Sequence, residues 1–61
     1  MKYSELLKLL KKSECIIIRE GGGHTIWKNP ATGQIFTVGR HKTEEVPIGT
    51  LKSILKAAGL Q

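Results

Sequence analysis

The sequence predicts an α+β fold in the order α-β-β-β-α, in which two helices cover one face of a three-stranded antiparallel sheet. Apolar residues recur at helical spacing near both ends of the chain, β-branched or alternating segments occupy its middle, and clusters of glycine and proline separate them. A chain of 61 residues builds one small core. The economical packing therefore places both helices on the same sheet face and leaves the other face in water. We expect one domain over residues 1–61.

The first helix is predicted over residues 2–12. Its apolar face consists of Tyr3, Leu6, Leu7 and Leu10. Lysines gather in its C-terminal half, where positive charge is favourable to the helix dipole. Part of the positive charge of the chain therefore has a structural explanation.

Two segments in the middle of the chain favour β-strands. Residues 15–20 contain three consecutive isoleucines and end at a run of three glycines. Residues 24–29 alternate, so that if Trp27 faces the core, Thr25 faces it too. The side chains then expected on the opposite, accessible face are His24, Ile26 and Lys28.

A third strand is expected after a turn. Residues 29–33 contain proline and glycine, which are typical of a turn between antiparallel strands. Residues 34–38 alternate again and place Phe36 and Val38 on one side. The polar segment 39–46 is expected to be a loop that carries the chain back across the sheet.

The second helix is predicted from a first turn at Pro47 to a stop at Gly59. Its apolar stripe is expected to consist of Ile48, Leu51, Ile54, Leu55 and Ala58.

The charge of the chain favours an anionic partner. Ten Lys and Arg residues against five Asp and Glu give a formal net charge of +5, which favours nucleic acid first, an acidic protein second and a membrane surface third. Surplus lysines also serve solubility, so charge alone does not decide. The longest apolar run, Cys15–Ile18, is far shorter than the roughly 20 residues of a membrane span, and no secretory signal is expected. A single cysteine favours a reducing, cytoplasmic environment.

The glycine run that precedes His24 is the sharpest candidate for a functional site. Gly21–Gly23 can form a tight turn, or they can let a polymer backbone approach so closely that N–H groups meet phosphate oxygens. Because histidine exchanges protons near neutral pH, an exposed His24 can activate an RNA 2′-hydroxyl. An incidental solvated histidine at a strand start is the simpler alternative.

Other residues predict RNA contacts but no metal centre. Cys15, His24 and His41 are too scattered along the chain for a zinc site, so neither a metal nor another cofactor is expected. The basic residues of the strands and of the segment after the third strand can follow a phosphate backbone. The residues expected to contact RNA are Gly22, Gly23, Lys28, Arg40, His41 and Lys42.

Several motifs together resemble the HicA family of toxins over nearly the whole chain. They are Gly22-Gly23-His24 after a strand that ends near Arg19, Trp27, Phe36-Thr37-Val38, His41 and the segment Gly49–Gly59. The resemblance implies the fold of a double-stranded RNA-binding domain, which has the α-β-β-β-α order inferred above. This chain departs from the family pattern at Gly23, where serine is usual, and at Gly39, where proline is usual.

The resemblance also implies a function. HicA-like proteins are toxins of toxin-antitoxin systems, cleave mRNA without the ribosome, use one histidine, here His24, and are neutralised by a HicB-type antitoxin. Lys28 and the N–H groups of the glycine turn are candidates for stabilising the phosphorane, and His41 or water for the second proton transfer. Two alternatives stay open: a non-catalytic module that binds double-stranded RNA, and a structural module whose basic surface docks an acidic protein.

Overall fold

A computed structural model describes residues 1–60 of the protein. Its elements are helix α1 (Tyr3–Lys12), strands β1 (Ile16–Glu20), β2 (His24–Asn29) and β3 (Gln34–Gly39), and helix α2 (Ile48–Ala58). The strands form one antiparallel sheet in the order β1-β2-β3, so β2 is the central strand. The predicted α-β-β-β-α order is confirmed. Within residues 1–60, no helix is long and apolar enough to cross a membrane.

The core lies between the two helices and one face of the sheet. Trp27 of the central strand is only 2% exposed, and Thr25 is buried beside it, as the alternation predicts. Phe36 and Val38 of β3 are buried on the same side. The buried apolar side chains that the two helices add to this core are Tyr3, Leu6, Leu10, Ile54, Ala57 and Ala58. Both helices therefore cover the same face, and the opposite face is left open.

Helix α1 begins against the loop that follows β3. The N–H of Tyr3 donates to the carbonyl oxygen of Glu44 at 3.0 Å, and the N–H of Ser4 donates to that of Lys42 at 3.2 Å. These bonds satisfy two of the amide groups that the start of a helix leaves without an intrahelical partner. They also hold the loop, with its basic residues, against the N-terminal end of α1.

Helix α2 differs from its predicted pattern at its start. Pro47 precedes the first helical residue instead of lying in the first turn. Ile48 is 72% exposed, so its assignment to the apolar stripe is wrong. The physical reason is that the buried residues of this helix, Ile54, Ala57 and Ala58, all lie in its C-terminal half. The N-terminal turn therefore contributes little to the core.

Strand β1 is exposed along its whole length. It is an edge strand, and its register against β2 shifts between Ile17 and Arg19, which leaves Ile18 without a direct partner. An edge strand that carries three isoleucines in contact with water presents apolar surface and free backbone groups. Exposed apolar side chains therefore occur on the sheet as well as at Ile48.

The turn between β2 and β3 is tied to the end of α2. The amide of Asn29 donates through Nδ2 to the carbonyl oxygen of Ala57 at 3.1 Å, and its Oδ1 accepts from the N–H of Ala31 at 3.0 Å. Helix α2 ends at Gly59, which has a φ of 74°. This left-handed conformation confirms the predicted glycine stop.

Candidate functional site

The sheet face opposite to the helices, called the outer face here, combines apolar and basic side chains. Strand pairing aligns Ile16, Lys28 and Ile35 in one row, and Arg19, Ile26 and Thr37 in the next. His24 lies beyond the second row, opposite Gly39. Ile35 is 59% exposed. None of the side chains in these rows is acidic, so the face is positively charged with apolar surface between the charges.

His24 begins β2 and is exposed, as the sequence predicts. Gly21–Gly23 form the turn that precedes it, and the N–H of Gly21 donates to the carbonyl oxygen of His24 at 2.8 Å. A Cβ atom built on Gly21 would lie 3.3 Å from Nε2 of His24. The imidazole therefore lies beside Gly21, so closely that a Cβ atom there would require the ring to shift by a few tenths of an ångström.

Gly22 and Gly23 are exposed and sterically free. Neither has a positive φ, and a Cβ atom on either would meet nothing within 4 Å. The fold itself therefore does not require glycine at these two positions. Glycine there keeps the backbone N–H groups uncovered, so that a ligand can approach them closely.

Arg40 connects the end of β3 to the glycine turn. Its guanidinium donates through Nη1 to the carbonyl oxygen of Gly21 at 2.8 Å, and its backbone N–H donates to that of Gly23 at 3.3 Å. The peptide bonds are trans, and in a trans peptide the N–H points away from the carbonyl oxygen. The N–H of Gly22 is therefore directed away from Arg40.

His41 and Lys42 follow at the same end of the sheet. The ring of His41 meets that of Tyr3 edge to face, with centroids 6.0 Å apart and an interplanar angle of 72°. A Cβ atom on Gly39, the strand partner of His24, would lie 3.3 Å from Cδ2 of His41 and 3.4 Å from Cε1 of Tyr3. Glycine at position 39 thus accommodates both rings, and Lys42 next to them is exposed.

Lys28 lies apart from the residues around His24. It lies on the outer face like His24, but the rise of about 3.3 Å per residue puts the two about 13 Å apart along β2. It is half-buried, between Ile16 and Ile35 on the neighbouring strands. The predicted residues that the structure brings to the His24 end are Gly22, Gly23, Arg40, His41 and Lys42. Lys28 is therefore not part of the cluster of residues at the His24 end of the sheet.

Two features of the site were absent from the sequence prediction. The contact between Gly21 and the imidazole depends on the ring conformation of His24, for which the chain contains no local pattern. The bond from Arg40 to Gly21 joins residues 19 positions apart. The position of Ile35 on the outer face was predictable, because the alternation in β3 places this residue opposite to the core side.

Within residues 1–60, no group of three or more His, Cys, Asp or Glu side chains lies close enough together to hold a metal ion.

A family model described as "HicA toxin of bacterial toxin-antitoxin" matches residues 3–60. The chain belongs to the HicA toxin family. Among curated proteins and among solved structures, none matches it.

The family assignment covers the whole candidate site. The HicA match extends from the start of α1 to the residue after Gly59, so it includes the glycine turn, His24 and the loop with Arg40. This HicA chain is therefore the toxin of a toxin-antitoxin system, and an antitoxin is its implied partner.

Proposed function

We propose that this HicA toxin is a cytoplasmic endoribonuclease that cleaves mRNA by acid–base chemistry at His24, without a metal ion or another cofactor. The observation that carries the proposal is the exposed imidazole of His24, which lies against Gly21 beside a turn whose glycines are open to a polymer backbone. Membership of a toxin family supports a harmful activity, and the net charge of +5 supports an anionic target.

Metal-free cleavage requires three events at one phosphodiester. A base removes the proton of the 2′-hydroxyl, the 2′-oxygen attacks phosphorus, and the 5′-oxygen leaves with a proton. The products are a 2′,3′-cyclic phosphate and a 5′-hydroxyl. A neutral His24 can accept the first proton and, as imidazolium, donate it to the leaving oxygen. His41 and water are the other candidates for the second transfer.

The negative charge that develops on the phosphorane needs hydrogen-bond donors. In this proposal the N–H groups of Gly22 and Gly23 supply them, because a Cβ atom on either residue would meet nothing within 4 Å. One well-placed donor contributes roughly 3 to 4 kcal/mol to such a transition state. Arg40, His41 and Lys42 contact phosphates that flank the scissile bond, and Lys28 contacts a phosphate further along the RNA.

We further propose that a HicB-type antitoxin inhibits the toxin by covering the outer face. Ile16 and Ile35 are exposed on either side of Lys28. Contiguous exposed apolar surface marks interaction sites, and positive charge favours an acidic partner. Because His24 lies at the end of this same face, a protein bound there excludes RNA from the imidazole.

The test of the ribonuclease proposal is to incubate the purified toxin with a long mRNA in EDTA and to identify the ends of the products. We expect fragments with 2′,3′-cyclic phosphate and 5′-hydroxyl ends. Cleavage that needs added Mg²⁺, or that leaves 5′-phosphates, would overturn the proposed mechanism. RNA that is retarded in a gel but stays intact would favour the non-catalytic binding module. Neither binding nor cleavage would favour the module that docks an acidic protein.

A further inference from the structure

We propose that Arg40 and Gly21 are positioning residues for His24. In this arrangement the guanidinium of Arg40 fixes the glycine turn, and Gly21 binds the backbone of His24 and leaves room for its imidazole. The effect on catalysis rests on the proposed ribonuclease function, whereas the effect on the imidazole itself does not.

The turn before His24 needs an external support. Three consecutive glycines have more conformational freedom than any other residues, so ordering them costs more conformational entropy than ordering alanines. Arg40, which follows β3, supplies two hydrogen bonds. Its guanidinium donates to the carbonyl oxygen of Gly21 at 2.8 Å, and its backbone N–H donates to that of Gly23 at 3.3 Å. The turn is thereby attached to β3 on both sides of Gly22.

Gly21 connects this support to His24 through one hydrogen bond, and it also lies beside the imidazole. Its N–H donates to the carbonyl oxygen of His24 at 2.8 Å. A Cβ atom on Gly21 would point toward the imidazole and would lie 3.3 Å from Nε2 and 3.5 Å from Cε1. The backbone and the ring of His24 are therefore both placed relative to the residue whose carbonyl group Arg40 binds.

The positioning role of Arg40 can be separated from a phosphate contact. A guanidinium has five N–H donors, and the structure uses one of them for Gly21. The others are free to bind RNA, so loss of Arg40 both loosens His24 and removes a positive charge. Substitution of Gly21 disturbs the imidazole without changing any charge. The two variants together therefore distinguish positioning from RNA binding.

The first arm of the test uses the free protein and measures the Cε1–H and Cδ2–H resonances of His24 by NMR. We expect Gly21→Ala and Arg40→Gln to shift both resonances. The matched controls are Gly22→Ala, whose Cβ meets nothing within 4 Å, and Lys11→Gln, which removes one positive charge from an exposed position on α1. The controls should leave the resonances in place. Wild-type positions in both Gly21→Ala and Arg40→Gln would overturn the proposal.

The second arm measures RNA cleavage by the same variants. We expect kcat to fall roughly tenfold in Gly21→Ala and Arg40→Gln, because a misplaced catalytic group reacts more slowly. KM should stay constant in Gly21→Ala and rise in Arg40→Gln, while Lys11→Gln keeps the wild-type kcat. Wild-type kcat in both site variants would overturn the catalytic role of positioning. If the wild-type protein cleaves no RNA, the ribonuclease proposal fails, and the NMR arm still decides the positioning of His24.

Arg40→Gln keeps the test decisive if Gly21→Ala does not fold. Position 40 is exposed, so this variant should keep the circular dichroism spectrum of the wild type. A folded Arg40→Gln protein therefore answers both arms even if Gly21→Ala proves unstable.

Discussion

Individual backbone positions determine what surrounds His24. Gly21 leaves room for the imidazole, and Gly39 accommodates the rings of Tyr3 and His41. Gly23 has no such constraint, since a Cβ atom there would meet nothing within 4 Å. The HicA family usually has serine at this position. The absence of a side chain at Gly23 is therefore not a requirement of the fold, and a serine hydroxyl can be added without strain.

Gly23→Ser should increase RNA cleavage about two- to tenfold, because one additional hydrogen bond to the phosphate or to His24 contributes roughly 0.5 to 1.5 kcal/mol. The measurement is kcat/KM on a defined RNA. Gly23→Ala is the matched control, since it adds the Cβ atom without the hydroxyl. An equal gain in both variants would show that the hydroxyl is not responsible.

Asn29 is the second position at which one side chain has a large expected effect. Its buried amide bonds to Ala57 and Ala31, and truncation leaves both partners without it. Asn29→Ala should lower the free energy of unfolding by about 1 to 3 kcal/mol, measured by urea denaturation. Gln34→Ala, at the exposed strand partner of Asn29, should change it by less than about 0.5 kcal/mol. Equal effects of the two variants would contradict the assigned role of Asn29.

Helices and strands were predictable where their patterns are local. The alternation in β2 and β3 identified the buried side of both strands, because each side chain position follows from its neighbours. The exposure of Ile48 was not predictable, since it depends on how far the core extends along α2. The bond between Asn29 and Ala57 joins residues 28 positions apart, and likewise follows from packing alone. The exposed His24 was predicted, but the support that holds it was not.

Gly49 in helix α2 and Gly59, which caps its C-terminal end, should respond oppositely to substitution. Gly59→Ala forces a Cβ atom into the left-handed conformation at φ 74° and to within 3.3 Å of Nδ2 of Asn29. We expect the free energy of unfolding to fall by about 1 to 2 kcal/mol. Gly49→Ala has open space around its Cβ atom, and should raise it by about 0.5 kcal/mol. Thermal denaturation checks both values, and a stabilising Gly59→Ala would contradict the assigned helix end.

The proposed function assigns roles to two regions of the molecule. One end of the sheet carries the glycine turn, His24 and the basic loop, while the rest of the outer face carries isoleucines around Lys28. In the proposed function RNA occupies the first region and extends over the second. An antitoxin on the outer face therefore competes with RNA without needing a second site.

Antitoxin binding should depend on charge and on apolar surface in different ways. Lys42→Glu should slow association several-fold, because charges at the rim act mainly on the encounter of the two proteins. Ile35→Ser should accelerate dissociation, because most effects of apolar contacts appear in the rate of release. The measurement is the pair of rate constants from surface plasmon resonance.

The control for the apolar contact is Ile48→Ser, which replaces a second, even more exposed isoleucine that lies on α2 and not on the outer face. It should leave both rate constants unchanged. If Ile35→Ser and Ile48→Ser accelerate dissociation equally, the antitoxin does not bind the outer face as proposed.

The proposed ribonuclease activity depends most on His24, and the direct measurement is single-turnover cleavage of mRNA in EDTA by the wild-type protein and by His24→Gln. Because acid–base catalysis contributes roughly 100- to 10,000-fold, we expect cleavage by the variant to fall at least about 100-fold. His24 is exposed, so the variant should keep its circular dichroism spectrum, and its stability should change by about 0.5 kcal/mol or less. A folded His24→Gln protein that cleaves RNA as fast as the wild type would contradict the account.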